Sequence, residues 1–132
     1  MTLSQAEQLL YNHLMSFSSP EVKAENIIFE NSPIFTAPKN ELWCRVYVDY
    51  ANSRIVGMGN QPCKRNFGMI QIQCFAPLAT STTTITKLCE DWDRHLQNYN
   101  ESHLEIYLVH APSRIDDPNF LGRIIRAEFR VN

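Results

Sequence analysis

Phe67-Gly68-Met69-Ile70-Gln71-Ile72-Gln73-Cys74-Phe75 is the most regular stretch of the chain. Gly68, Ile70, Ile72 and Cys74 fall on one side of an extended backbone, with Phe67, Met69, Gln71, Gln73 and Phe75 on the other. This period-two alternation predicts a strand with one buried face. Ala76-Pro77 is expected to stop it, because proline has no N–H to give to a ladder. Upstream, Leu42 to Tyr50 alternates in the same way, with Leu42, Cys44, Val46, Val48 and Tyr50 against Trp43, Arg45, Tyr47 and Asp49. The two runs read as strands joined by a hairpin connection.

That connection, Ala51 to Asn66, holds Gly57, Gly59 and Pro62 and little amphipathic periodicity, with short strand extensions expected around Ile55-Val56. It is longer than the fold requires. Connections of more than about 12 residues without structure of their own are uncommon and often functional, so this arm is the leading functional candidate.

Outward from the hairpin, the chain alternates helices and strands. Ser4-Gln5-Ala6-Glu7 matches a capping box, and Ala6, Leu9, Leu10, Leu14 and Phe17 recur at helical spacing behind it. Asn26 to Glu30 suggests a short edge strand. After Pro77, Ser81 or a neighbouring threonine can cap a second helix, whose Ile85, Leu88, Cys89, Trp92, Leu96 and Tyr99 form an apolar stripe. Leu104 to His110 reads as a strand, Ala111 to Asn119 as a loop, and Leu121 to Val131 as a final strand. The expected fold is a single α+β domain over residues 1–132. It has a mostly antiparallel sheet, two helices packed on one face and a long β-hairpin arm.

With 132 residues, 44% hydrophobic and 20% charged, the composition fits an ordinary globular domain. The formal charge of -2 gives no global reason to expect nucleic acid. Met1 to Gln5 carries no basic segment leading into an apolar run, and no apolar stretch approaches the ~20 residues of a membrane span. A soluble, intracellular protein with reduced thiols is expected. Charge is uneven along the chain: residues 51–80 contain Arg54, Lys64 and Arg65 and no acid, while Glu90, Asp91 and Asp93 line the second helix. These six residues are a candidate pair of complementary surfaces between copies. Two ordinary solvated faces are the plainer reading.

Searches for chemistry fail on spacing and direction. No cysteine has a second cysteine or a histidine two to four positions away, as a zinc site would need. Cys63, in the arm, is the one candidate reactive thiol. His13, His95, His103 and His110 lie in unremarkable contexts with no nucleophile elbow beside them. Asp91 and Asp93 diverge on a helix and so cannot share an ion, and Asp116-Asp117-Pro118 is a turn signal. There is no phosphate-cradling glycine loop. No catalytic residue, cofactor or metal is expected. Trp43, Arg45 and Tyr47, with Arg126 and Arg130, can form a sheet surface that stacks bases. Asp49 and Glu128 on the same strands point instead to cross-strand ion pairs.

Trp43-Cys44-Arg45-Val46, the long polar hairpin, the run Arg65-Asn66-Phe67-Gly68-Met69-Ile70-Gln71-Ile72-Gln73-Cys74-Phe75-Ala76-Pro77 and the helix ending near Tyr99 together resemble phage tail terminator and tail completion proteins. The likeness extends in element order over the whole chain. Leu78 to Thr84 departs from the family's pattern in lacking glycine. The resemblance implies a structural virion protein, commonly a hexameric ring at the head-proximal end of the tail tube. Such a ring stops tube polymerisation and joins the tail to the head connector, with the tube protein and a connector or neck protein as partners. It implies no catalysis, assembly in the host cytoplasm, and DNA that passes through without being specifically bound. Another neck or connector protein, a small nucleic-acid-binding module, and a small enzyme built around Cys63 and a histidine are the alternatives.

Overall fold

The computed structural model describes residues 1–51, 54–56 and 63–132, with the side chains of 54–56, 63 and 64 outside that description. Helix α1 spans Leu3–Met15. A 3-10 turn at Ala24–Asn26 follows, then strands β1 (Ile27–Phe29), β2 (Trp43–Tyr50), β3 (Arg54–Val56) and β4 (Cys63–Pro77). Helix α2 is Thr82–Leu96, and β5 (Asn100–Glu101), β6 (Leu104–Val109), β7 (Ser113–Ile115) and β8 (Phe120–Val131) complete the chain.

The sheet order is β1-β2-β4-β8-β6-β5, with β3 on β4 and β7 on β8. Pairing is antiparallel except between β1 and β2. The stretch that predicts the fold is its axis. β4 pairs with β2 from Trp43↔Phe75 to Tyr50↔Gly68 on one side, and with β8 from Asn66↔Val131 to Pro77↔Phe120 on the other. Because side chains alternate, Ile70, Ile72 and Cys74 of β4 join Cys44, Val46 and Val48 of β2 and Ile125, Ala127, Phe129 and Val131 of β8 on one buried face. The stripes of both helices close over that face: Ala6, Leu10 and Leu14 of α1, and Ile85, Leu88, Cys89, Trp92 and Leu96 of α2. The fold is α+β with a mostly antiparallel sheet and both helices on one face, as predicted.

Four local expectations differ. The capping box is built two residues earlier: the Thr2 hydroxyl accepts from the Gln5 N–H at 3.2 Å, and the Gln5 side chain accepts from the Thr2 N–H at 3.0 Å. A threonine followed three residues on by a glutamine serves the same exposed donors as Ser4 and Glu7 would. Strand β4 does not stop before Pro77 but includes it, at its last position opposite Phe120, where a missing N–H matters least. Within the expected loop 111–119, Ser113–Ile115 pairs with β8. Helix α2 ends at Leu96, before Tyr99, because Asn98 takes a left-handed turn (φ 57°) that a short polar residue tolerates.

Gly68 is required by packing. A Cβ there would stand 2.3 Å from Phe129 Cζ and 2.6 Å from the Asp49 carbonyl oxygen, so the Phe129 ring crosses the cross-strand neighbour that lacks a side chain.

Candidate functional site

β8 ends at Val131, opposite Asn66, while β4 continues back to Cys63. The segment Cys63–Arg65 therefore pairs only with β3, through Arg54↔Arg65, Ile55↔Lys64 and Val56↔Cys63. The predicted hairpin arm thus begins as a two-stranded ribbon that runs past the end of β8. Such a ribbon is marginal in water unless something packs on it. The prediction's positive side consists of Arg54, Lys64 and Arg65. The side chains of Arg54, Lys64 and Cys63 lie outside the described residues. Arg65 is half-buried at the arm's root, and its Nε has no hydrogen-bond partner among the described residues.

The predicted negative side divides. Glu90 is exposed on α2. Asp91 is committed within the chain: it accepts from Ser19 Oγ at 2.6 Å and pairs with Arg94 one turn on, tying the segment after α1 to α2. Asp93 accepts from Gln97 Nε2 at 2.9 Å, near the helix end. Among the described residues, no ion pair joins Arg65 to these acids.

The sheet face away from the helices has two zones. At one end Trp43 stacks on Phe75 (centroids 4.3 Å apart, 19° between planes), meets Phe120 edge-on at 5.3 Å and lies 5.8 Å from Phe35. The Arg45 guanidinium sits 4.9 Å over the Trp43 ring. Trp43 is only 3% exposed, so the aromatic expected to stack bases instead anchors a second small core. Farther along the face the charges are partnered within the chain. Arg130 pairs with Glu105 at 2.8 Å, His110 with Glu128 at 2.8 Å, and Asp49 accepts from Gln71 at 2.9 Å. The cross-strand pairing expected for Glu128 is present, with His110 as its partner, whereas Asp49 takes an amide.

Two histidines read as incidental from sequence form the tightest polar contact between the helices. His13 Nε2 donates to the His95 carbonyl at 2.7 Å, and His95 Nε2 donates to the His13 carbonyl at 2.6 Å. The rings stack at 4.1 Å and 4°, and Tyr99 stacks on His13 at 3.8 Å. The His95 carbonyl lies in the last turn of α2, where backbone acceptors lack intrahelical partners, and the His13 ring supplies its donor; the His13 carbonyl also accepts from the Ser16 N–H and hydroxyl. Burial holds the His13 imidazole below its ordinary pKa, with the neighbouring His95 adding to that direction, while the hydrogen bond to the His95 backbone and Glu101 oppose it. The sequence signal is faint: one histidine in the final turn of each helix.

A surface depression of about 600 Å³ lies between the α2 start and the β7–β8 turn. Leu78, Thr82, Arg114, Asp116, Phe120 and Arg123 are among its walls. It is open, and its Asp117 carboxylate is spent on the backbone N–H groups of Asn119 and Phe120. Among the described residues no group of histidine, cysteine and acidic side chains is placed to hold a metal.

No family model matches the chain, and no curated protein matches it. A solved structure shares the fold with a TM-score of 0.65 at 12% identity, over 100% of this chain and 97% of that one. At that identity the likeness carries the fold alone.

Proposed function

We propose that this chain is a structural virion protein, a tail terminator that forms a ring on the head-proximal end of a phage tail tube. In that role it stops tube growth and meets the head connector. The observation that carries the reading is the β3–β4 ribbon, which leaves the sheet where β8 ends and has no third strand beside it among the described residues. A ribbon of this kind gains its missing packing from a neighbouring copy or from the tube. The sequence resemblance supports the same reading over the whole chain. Ring formation through two different patches fits basic residues in the arm and an exposed acid on α2; of the arm's basic side chains Arg65 is described, and it makes no ion pair with that acid among the described residues. In this reading the protein needs no cofactor and performs no catalysis. The burial of Trp43 weighs against the nucleic-acid alternative.

Light scattering of the purified protein, alone and with tube protein, tests this reading, together with negative-stain imaging. The expected result is a mass of several copies and a ring with a central opening. Replacing residues 52–64 by a short turn should return the protein to a monomer of unchanged fold. A chain that stays monomeric under every condition, tube protein included, would refute the proposal.

A further inference from the structure

Three of the four cysteines converge in the core. Cys44 of β2 and Cys74 of β4 face each other across the ladder, and Cys89 of α2 lies against Cys74 from above. All three are free thiols and buried. The register identifies what kind of pair Cys44 and Cys74 form. The Ala51 N–H donates to the Phe67 carbonyl at 2.7 Å, so the pair next to Tyr50↔Gly68 is a hydrogen-bonded one. The ladder then runs to Cys44↔Cys74 without a shift, and alternation makes that pair non-hydrogen-bonded. At such positions the Cα atoms stand about 4.5 Å apart, within the range a disulfide spans. The two sulfurs are already 3.8 Å from each other.

We propose that Cys44 and Cys74 are a latent oxidation site that closes to a cross-strand disulfide when a small two-electron oxidant of the peroxide class reaches the folded protein. One thiolate sulfur attacks a peroxide oxygen, the O–O bond breaks, and hydroxide leaves to give a sulfenic acid. The second thiol then attacks that sulfur, the S–S bond forms, and the oxygen departs as water. Two thiols and one peroxide thus become one disulfide and two waters. Access runs through the sheet edge, where Cys44 to Val46 pairs outward with the three residues of β1. A strand held by so few pairs opens locally at small cost. The link would join β2 and β4 near the end of their ladder away from the arm, six pairs from Tyr50↔Gly68.

The test uses the full chain carrying Cys63→Ser, which removes the arm thiol. The folded protein is treated with hydrogen peroxide, its intact mass is measured, and it is digested with trypsin without reduction. Trypsin separates the three cysteines into peptides 40–45, 66–87 and 88–94. The expected result is the loss of two hydrogens, a linked 40–45/66–87 product, and a Tm raised by about 10 °C that dithiothreitol reverses. Cys89→Ala should keep that product and Cys44→Ala should abolish it. A predominant 66–87/88–94 link, or no link while the protein remains folded, would overturn the proposal. So would a link that leaves Tm unchanged or lower.

Discussion

At the scale of single residues, Gly68 shows how a side chain can be excluded by its neighbours. The residue has ordinary extended pairing with Tyr50 and Phe129, yet the space a Cβ would take is filled by the Phe129 ring and the Asp49 carbonyl. Backbone cannot swing aside as a flexible side-chain tip can, so Gly68→Ala must displace β2 or tilt the ring. We expect a loss of about 1–3 kcal/mol in urea unfolding, typical of overpacking a filled core. Truncating Phe129 as well should not restore the loss, because the carbonyl contact at 2.6 Å remains. The pattern of Phe67 to Phe75 displays this glycine on the buried face, but nothing in the sequence says that an aromatic ring lies over it. That fact comes from the β4–β8 register, which is a tertiary property. Trp43 teaches the converse. Strand alternation correctly puts it opposite Cys44 and Val46, and the error lies in assuming that the second face is open there. Phe35, Phe75 and Phe120 arrive from three separate parts of the chain to cover it.

Between elements, the reciprocal histidines join the two helix ends, and the His13 ring supplies the donor for the His95 carbonyl. Both rings must carry hydrogen on Nε2 to donate, and they can do so while neutral. Protonation of His13 keeps its bond but places a positive ring face to face with the His95 ring at 4.1 Å. The surroundings are mixed: Tyr99, itself bonded to Glu101, covers one side of His13, while Ser16, Phe17, Trp92, Asp91 and Arg94 surround His95. Because His13 is held below its usual value in the folded state, the unfolded chain binds more protons near and below pH 6.5. Stability from this source is therefore complete above the ordinary histidine range and is lost as pH falls through it toward the lowered folded value. Thermal melts at pH 7.5 and pH 5 should show the drop, and His13→Gln, which keeps a donor for the His95 carbonyl, should flatten it. If the variant retains the full pH slope, the clasp is not its origin. Periodicity located both helices and left the clasp invisible, since it depends on the two ends lying side by side. The central strands were legible from their alternation, whereas the full length of β4, the short β5 and β7 and the early cap depend on pairing partners or on one or two residues each.

On the scale of the whole molecule, charge blocks in the sequence suggest that the arm and α2 are complementary, and the fold narrows which residues can act between copies. Asp91 is spent within its own chain on Ser19 and Arg94, and Asp93 on Gln97, whereas Glu90 is exposed. Sequence alone could not separate them, because the divergence of neighbouring acids on a helix does not reveal what the segment after α1 brings to one of them. Distinct outcomes follow for the two positions. Asp91→Asn weakens a charge-assisted contact and should lower stability by about 1 kcal/mol while leaving the oligomer's mass as it was. Glu90→Lys should leave stability nearly unchanged, as exposed charges do, and shift the oligomer toward smaller species. Reversal of Lys64 and Arg65 to glutamate should shift the mass in the same direction. Combining it with Glu90→Lys should recover part of the mass, because the exchanged charges attract again. The dependence on ionic strength separates this pairing from apolar contacts of the arm, since an exposed charge pair weakens over a Debye length of about 8 Å at physiological salt. If the light-scattering mass is indifferent both to charge reversal at Lys64 and Arg65 and to salt, copies join through the ribbon's backbone and apolar residues, and the acids of α2 are a solvated face.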